Sequence, residues 1–262
     1  MSAWQRFFLE GVNPLHAVVA EMLADGQCEY REVSGGGLIS PLLANIYLHL
    51  LDELMTARGH RLIRYADDFV ICCRSRKCRK SLKNRRKLLE NELGLVVHLE
   101  KTIIVDNTKE KFTFLVYSFS NGYWHNPSEK SIKKFKDKMK KITRKNLTIN
   151  MEKFIKHKVN SAIRGWGKYF GIGFSSKVFK EQNSWIRRRV KMIQLRSWEK
   201  IKKLHKDLTR KKWKGELPQL RMNRWRSSMS TPVHTALLIE WFREQKLLFL
   251  VDIHKELYSQ GE

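Results

Sequence analysis

Two adjacent carboxylates, Asp67 and Asp68, lie between the apolar runs Leu62-Ile63 and Phe69-Val70-Ile71. Asp suits a turn better than a strand, because its short side chain satisfies local backbone groups. The flanks are therefore expected to pair as a hairpin, with the two acids at its tip. Like charges held that close repel each other unless a cation lies between them. Oxygen-only ligands suit Mg²⁺ or Mn²⁺, ions that serve phosphoryl transfer by clamping the attacking and leaving oxygens. An isolated Asp-Asp pair more often marks a solvated turn, so the weight falls on its surroundings.

The elements that must position this pair are legible on both sides. Ser34-Gly35-Gly36-Gly37 runs into Ser40-Pro41, a hydroxyl N-cap followed by a proline where no N–H is needed. In the helix this starts, Leu43, Ile46, Tyr47, Leu50 and Leu54 fall on one face. The glycines leave backbone open to a phosphate or base, although a triple Gly is also simply a flexible loop. After the hairpin, Lys77 to Leu93 reads as a basic amphipathic helix closed by Gly94. Leu95 to Val105 reads as a strand interrupted around Glu100-Lys101-Thr102, Phe112 to Phe119 as another strand, and Asn121-Gly122 as a hairpin turn. Residues 40–105 thus run helix, strand, strand, helix, strand, the split β-α-β-β-α-β order without its first strand. Residues 1–33 read as short helical segments and a turn. Their acids (Glu10, Glu21, Asp25, Glu29, Glu32) sit on no apolar strand, so the first strand is expected ahead of residue 1.

Charge divides the 262-residue chain. The formal net charge is +26. Between Pro127 and Arg226 there are 32 Lys/Arg against 7 Asp/Glu, a net of +25, whereas the rest of the chain is balanced. Such one-sidedness exceeds what solubility asks for and points to a polyanion clamp. Ile132, Phe135, Met139 and Ile142 mark one helix face among lysines, Met151 to Phe170 a second helix, and Phe174 to Leu208 a third, with Gly171-Ile172-Gly173 as a break. Lys211 to Thr231 is irregular, basic and aromatic; Trp213 and Trp225 there suit either stacking on unpaired bases or packing. Thr235 to Leu257 reads as a neutral helical cap. No run is long and apolar enough to span a bilayer, and Met1 to Phe8 lacks the layout of a signal peptide, so nucleic acid is the expected partner and a membrane is not. Cys28, Cys72, Cys73 and Cys78 show no metal or redox spacing, which implies a reduced, zinc-free, cytoplasmic protein.

These pieces resemble a bacterial group II intron-encoded reverse transcriptase/maturase, from about residue 20 to near the C-terminus. Gly36 to Leu48 looks like the glycine-rich palm segment, Arg64-Tyr65-Ala66-Asp67-Asp68-Phe69 like the catalytic box, and Leu95 to Thr102 like the Lys-Thr motif that follows. Ile163 to Phe170 and Trp185-Ile186-Arg187-Arg188-Arg189 resemble the maturase-specific thumb. The resemblance implies an α+β chain: an incomplete palm, a split βαβ-type antiparallel sheet with helices, over 1–126; a basic helical thumb/maturase region over 127–226; and a helical cap over 227–262. It implies that Asp67 and Asp68 hold catalytic Mg²⁺ (or Mn²⁺), with Tyr65 and Ala66 beside the primer end. Gly36, Gly37, Ser40, Pro41 and Asn45 would shape the nucleotide and template pocket, and Lys101 would lie near the incoming phosphates. Lys133, Lys134, Lys138, Arg164, Lys168, Arg187, Arg188, Arg189, Lys191 and Arg224 would bind RNA.

In that family the palm copies RNA into DNA from dNTPs on a primer-template, and the thumb binds intron RNA and assists splicing. This chain departs from the family where Pro-Gln is replaced by Ser34-Gly35 and Phe-Leu-Gly by Phe114-Leu115-Val116. The fingers and the strand with the remaining catalytic Asp are expected upstream, with an upstream fragment as the candidate to supply them, and a homodimer is open. Three functions follow for comparison: an RNA-directed DNA polymerase, an RNA-binding maturase module that does not polymerise, and a degenerate remnant of either.

Overall fold

The structure is a computed structural model. It describes residues 16–24, 40–57, 59, 61–65, 68–73, 95–97, 102–121, 124–144, 150–198 and 200–259. The chain divides into two units, Met1–His125 and Asn126–Glu262.

In the first unit, strands β1 (His16–Ala24), β2 (Arg61–Tyr65), β3 (Asp68–Cys73) and β4 (Leu95–Val97) form a sheet in the order β2-β3-β1-β4, with β5 (Ile103–Val105) also paired to β1. The pairings of β1 with β3, β4 and β5, and of β2 with β3, are antiparallel. Helix α1 (Ser40–Ala57) packs on β2. The β2–β3 hairpin is the expected one. So is the break in 95–105: β4 lies against Met22 to Ala24 and β5 against Ala17 to Val19 of the same partner strand.

Residues 16–24 correct the helical reading of the N-terminal segment. His16-Ala-Val-Val-Ala-Glu-Met-Leu-Ala24 is a short apolar run that periodicity cannot assign, since helix and strand both tolerate it. Pairing with β3 on one edge and with β4 and β5 on the other makes it the central strand. The slot expected to be filled from upstream of residue 1 is thus filled by β1, and Glu21 lies on a strand after all.

The inward face of α1 also differs from expectation. Leu48, Leu51 and Met55 are buried, whereas Ile46 and Leu50 are 64% and 47% exposed. The helix is apolar almost all round, so two stripes at helical spacing compete, and the sheet covers only one. In β3, Phe69, Val70 and Ile71 are all buried, as expected of a strand covered on both faces. Val70 packs with Val105, Phe112, Phe114 and Phe119, and Cys72 lies against the same cluster. Residues 112–120 form β6 (Phe112–Phe114) and β7 (Tyr117–Ser120), not one strand, joined at Leu115-Val116. The Phe112 and Phe119 rings stack at 5.1 Å. Asn121, at φ 50, leads into β8 (Trp124–Pro127), completing the sheet order β6-β7-β8 as the Asn-Gly signal implies.

The second unit is helical. Helix α2 (Glu129–Ile142) is capped by Ser128, whose Oγ accepts the Ser131 N–H, and buries Phe135 and Met139. Helix α3 (Met151–Phe154) passes through a π-helical turn (Ile155–Val159) into α4 (Asn160–Phe170), burying Phe154, Ile155, Val159 and Ile163. The third stretch is interrupted, giving α5 (Ser176–Trp198) and α6 (Ile201–Arg210). The expected C-terminal helix is three short ones, α7 (Thr231–Ala236), α8 (Ile239–Glu244) and α9 (Leu250–Ser259). Helix α9 packs on α4 and α5. Trp166 joins the layers, its ring 4.5 Å from Phe135 and 5.4 Å from Phe179. Among the described residues no helix is long and apolar enough to cross a membrane.

Candidate carboxylate hairpin and basic helical face

Asp68 opens β3. Its register partners are Tyr65 on β2 and Glu21 on β1, so two acidic positions face each other across the centre of the sheet. Tyr65 is 63% exposed beside Asp68. The neighbouring Arg64 holds the hairpin to α1 through a two-pronged contact with Asp52, Nε to Oδ1 at 2.9 Å and Nη2 to Oδ2 at 2.6 Å. Its Nη1 also donates to Asn45 Oδ1 at 3.0 Å. A planar guanidinium on a carboxylate fixes both distance and angle, so Arg64 orients the strand that precedes the acids. Asn45 and Asp52 are spaced i, i+7 on α1, a polar stripe on an apolar helix; that signal was available in the sequence. Burial pushes the Cys72 thiol up to about 11, which leaves it inert at neutral pH.

Of the other positions expected in the nucleotide pocket, Ser40 and Pro41 lie in the first turn of α1. Gly36, Gly37, Ala66, Asp67 and Lys101, and the expected helix from Lys77 to Leu93, lie outside the described residues. In the turn that departs from the family pattern, Leu115 has φ 55, a left-handed conformation that a branched side chain resists.

In the helical unit, Lys133, Lys134 and Lys138 on α2, Arg164 and Lys168 on α4, and Arg224 in the 211–225 stretch are exposed. The cations of α5 are not free in the same way. Arg189 Nε donates to Thr143 Oγ1 at 2.8 Å at the C-terminal end of α2, where a positive charge meets unpaired carbonyls and the negative end of the helix dipole. The Arg188 guanidinium lies over the Trp225 ring at 4.1 Å, and Trp213 packs on the Leu195, Leu204 and Leu208 cluster. Both tryptophans therefore serve as packing anchors. Lys191 is buried, its Nζ 2.8 Å from His234 Nδ1. Burial, reinforced by the Arg187 guanidinium, pushes the Lys191 ammonium down to about 8. Burial, then Lys191 and Arg187, keep His234 below the usual imidazole range. A neutral imidazole that accepts from an ammonium satisfies both shifts.

Residues 2–119 match the family model for reverse transcriptase (RNA-dependent DNA polymerase), and residues 132–213 match that for the group II intron maturase-specific domain. The two matches follow one another in the order the two units have. The chain belongs to the group II intron-encoded reverse transcriptase/maturase family. Among curated proteins, none matches it significantly.

Reverse transcriptases use divalent metal ions. At the β2–β3 hairpin of this reverse transcriptase/maturase, Asp68 has the acidic position Glu21 as its register partner, and carboxylate oxygens are the donor type that suits a hard cation. Among the described residues no group of three His, Cys, Asp or Glu could hold a metal; Asp67 lies outside them. In the helical unit, Arg187, Arg188 and Lys191 come together on one wall of a pocket of about 560 Å³ with His234. Sequence reasoning singled out the three cations but missed His234 and the pocket, because its other wall is supplied by residues some forty positions later in the chain.

Proposed function

We propose that this reverse transcriptase/maturase copies RNA into DNA at the β2–β3 hairpin and binds intron RNA through its cationic helices, in the cytoplasm. The observation that supports the polymerase reading is the placement of Asp68, opposite Glu21 in the central sheet and one residue after Asp67. In this reading Asp67, Asp68 and Glu21 hold Mg²⁺, which would lower the pKa of the primer 3′-hydroxyl and neutralise the departing pyrophosphate. Tyr65, exposed beside Asp68, supports the primer end, and Arg64 keeps the strand from shifting by bracing it on Asp52 and Asn45. The triphosphate and template are met by Gly36, Gly37, Ser40, Pro41 and Lys101. Residues 1–126 act as palm, 127–226 as thumb/maturase region and 227–262 as its cap. The RNA-facing cations are Lys133, Lys134, Lys138, Arg164, Lys168 and Arg224, with Arg187, Arg188, Arg189 and Lys191 behind them.

Primer extension on poly(rA)/oligo(dT) with Mg²⁺ tests this. Asp68→Asn and Glu21→Gln should each lower incorporation by roughly two orders of magnitude and leave RNA affinity unchanged within about twofold, since single substitutions away from the cationic helices remove no phosphate contact. Undiminished extension by Glu21→Gln would remove Glu21 from the site. The second reading, a maturase module that binds RNA without polymerising, is favoured by the Leu115-Val116 turn where the family has Leu-Gly; no extension with intact RNA binding would select it. An upstream fragment and a second copy of the chain can be added to the same assay, and extension that appears only with one of them assigns the missing component.

A further inference from the structure

The pocket in the helical unit is built from two parts of different chemistry. One wall is α5, which contributes Arg187, Arg188 and Lys191. The other comes from the 3₁₀ turn Arg226–Met229 together with α7 and α8. Among the described residues none of the three cations forms an ion pair, and Glu181 is the one acid in the lining.

Their donors are only partly used. Arg187 Nη2 donates to Ser184 Oγ at 3.1 Å, and Lys191 gives one of its three N–H bonds to His234. Arg188 Nε is buried with no hydrogen-bond partner among the described residues. Burying charge without a counter-charge is costly, and Glu181, exposed and in no ion pair with the three cations among the described residues, does not relieve it, so the site lacks a bound anion. Apart from Ser228 and Thr235, the remainder of the lining is apolar. Trp185 and Phe242 contribute rings, while Met229, Leu238 and Ile239 are about half exposed at the mouth. At about 560 Å³ the cavity lies within the common range for small-ligand pockets.

We propose that this pocket takes one unpaired ribonucleotide of a bound RNA strand, with the phosphodiester against Arg187 and Lys191 and the base against the apolar wall. An anion fixed beside a flat apolar surface is the chemistry of a single nucleotide lifted out of its stack. A duplex keeps its bases paired and can offer only phosphates. The assignment rests on the RNA-binding reading above and narrows it to a strand with an unpaired base.

The experiment compares the full chain and its variants on a fluorescein-labelled 12-nucleotide single-stranded RNA and on a 16-base-pair RNA duplex. Arg187→Gln with Lys191→Met should weaken single-strand binding by about 10- to 100-fold, the loss of one charge-assisted site, and duplex binding by less than about threefold. Lys133→Gln with Lys134→Gln should weaken both forms alike. Ile239→Glu, at the exposed rim, should reproduce the single-strand defect by repelling the phosphate, and keeps the test open if Lys191→Met disturbs folding. A 5-iodouridine strand should photocrosslink to Trp185, Met229 or Phe242. Equal losses on both RNAs, no loss at all, crosslinks confined to α2, or tighter binding of free uridine monophosphate or an acidic peptide than of the strand would each overturn the assignment. Failure of the unaltered chain to bind either RNA would overturn the RNA-binding reading itself, whereas intact binding by every variant would overturn only the pocket.

Discussion

Lys191 shows how a single residue can mislead a reading by charge and then regain meaning from its surroundings. In the sequence it is one more cation after Trp185-Ile186-Arg187-Arg188-Arg189; in the fold it is only 4% exposed and bonded to His234. Its folded-state pKa of about 8 lies below the ordinary lysine value of 10.5. Below pH 8 the ammonium is buried in the folded state and solvated in the unfolded one, so its desolvation opposes folding. Between pH 8 and 10.5 the unfolded chain binds the extra proton, and this group's contribution to stability rises with pH. Lys191→Met should therefore leave the thermal midpoint at pH 7 unchanged or higher, and a clear drop on differential scanning would contradict that. RNA binding follows the opposite sign. A bound phosphate favours the charged amine, so affinity should fall as pH climbs through 8, and less so in Lys191→Met. The hairpin position of Asp68 was readable from its neighbours alone. Its pairing with Glu21 was not, because that joins strands 47 positions apart in the chain.

At the scale of elements, the second unit depends on how closely α9 approaches α4. A Cβ on Gly171 would stand 2.5 Å from Leu257 Cδ1 and 2.6 Å from the Gly167 carbonyl oxygen, and one on Gly167 would be 2.9 Å from Leu250 Cδ2. Two buried asparagines set the approach. Asn160 donates to the Lys246 carbonyl and accepts from Leu248 N, and Asn183 Oδ1 accepts from Leu250 N at the start of α9. Gly171→Ala should cost about 1–3 kcal/mol by overpacking, because one of the two clashes is with backbone. Gly165→Ala, in the same helix with open space around it, should be neutral or stabilise by roughly 0.5–1 kcal/mol through helix propensity. Urea midpoints of the two variants should move in opposite directions, and parallel shifts would discount the close-approach account. The apolar face of Met151 to Phe170 was legible because its stripe is narrow and its flanks are charged. The face of α1 was not, since that helix offers two stripes and tertiary contact chose between them.

The whole molecule carries its positive charge almost entirely in the second half of the chain. If the cationic helices neutralise about six to ten phosphates, the slope of log affinity against log salt on single-stranded RNA should be roughly −4 to −7. A slope near zero in a titration from low to high KCl would remove the clamp from the functional account. Composition forecasts this property because long-range electrostatics add over many residues and do not depend on where any single side chain points. It does not forecast the pocket, whose cations are drawn from that same pool but are partly withdrawn from water.

The sequence by itself determined the hairpin that presents Asp68, the broken strand after it, the Asn-Gly turn, the helical second half and the family to which the chain belongs. These rest on local chemistry: turn residues, caps and periodicity, each set within a dozen positions. Tertiary structure alone decided that His16–Ala24 is the central strand, that Arg64 is braced by Asp52 and Asn45, and that Lys191 and His234 meet at the foot of a cavity. In each case the deciding partner is distant along the chain. Short apolar segments and lone charges carry too little information to select such partners until packing removes the alternatives.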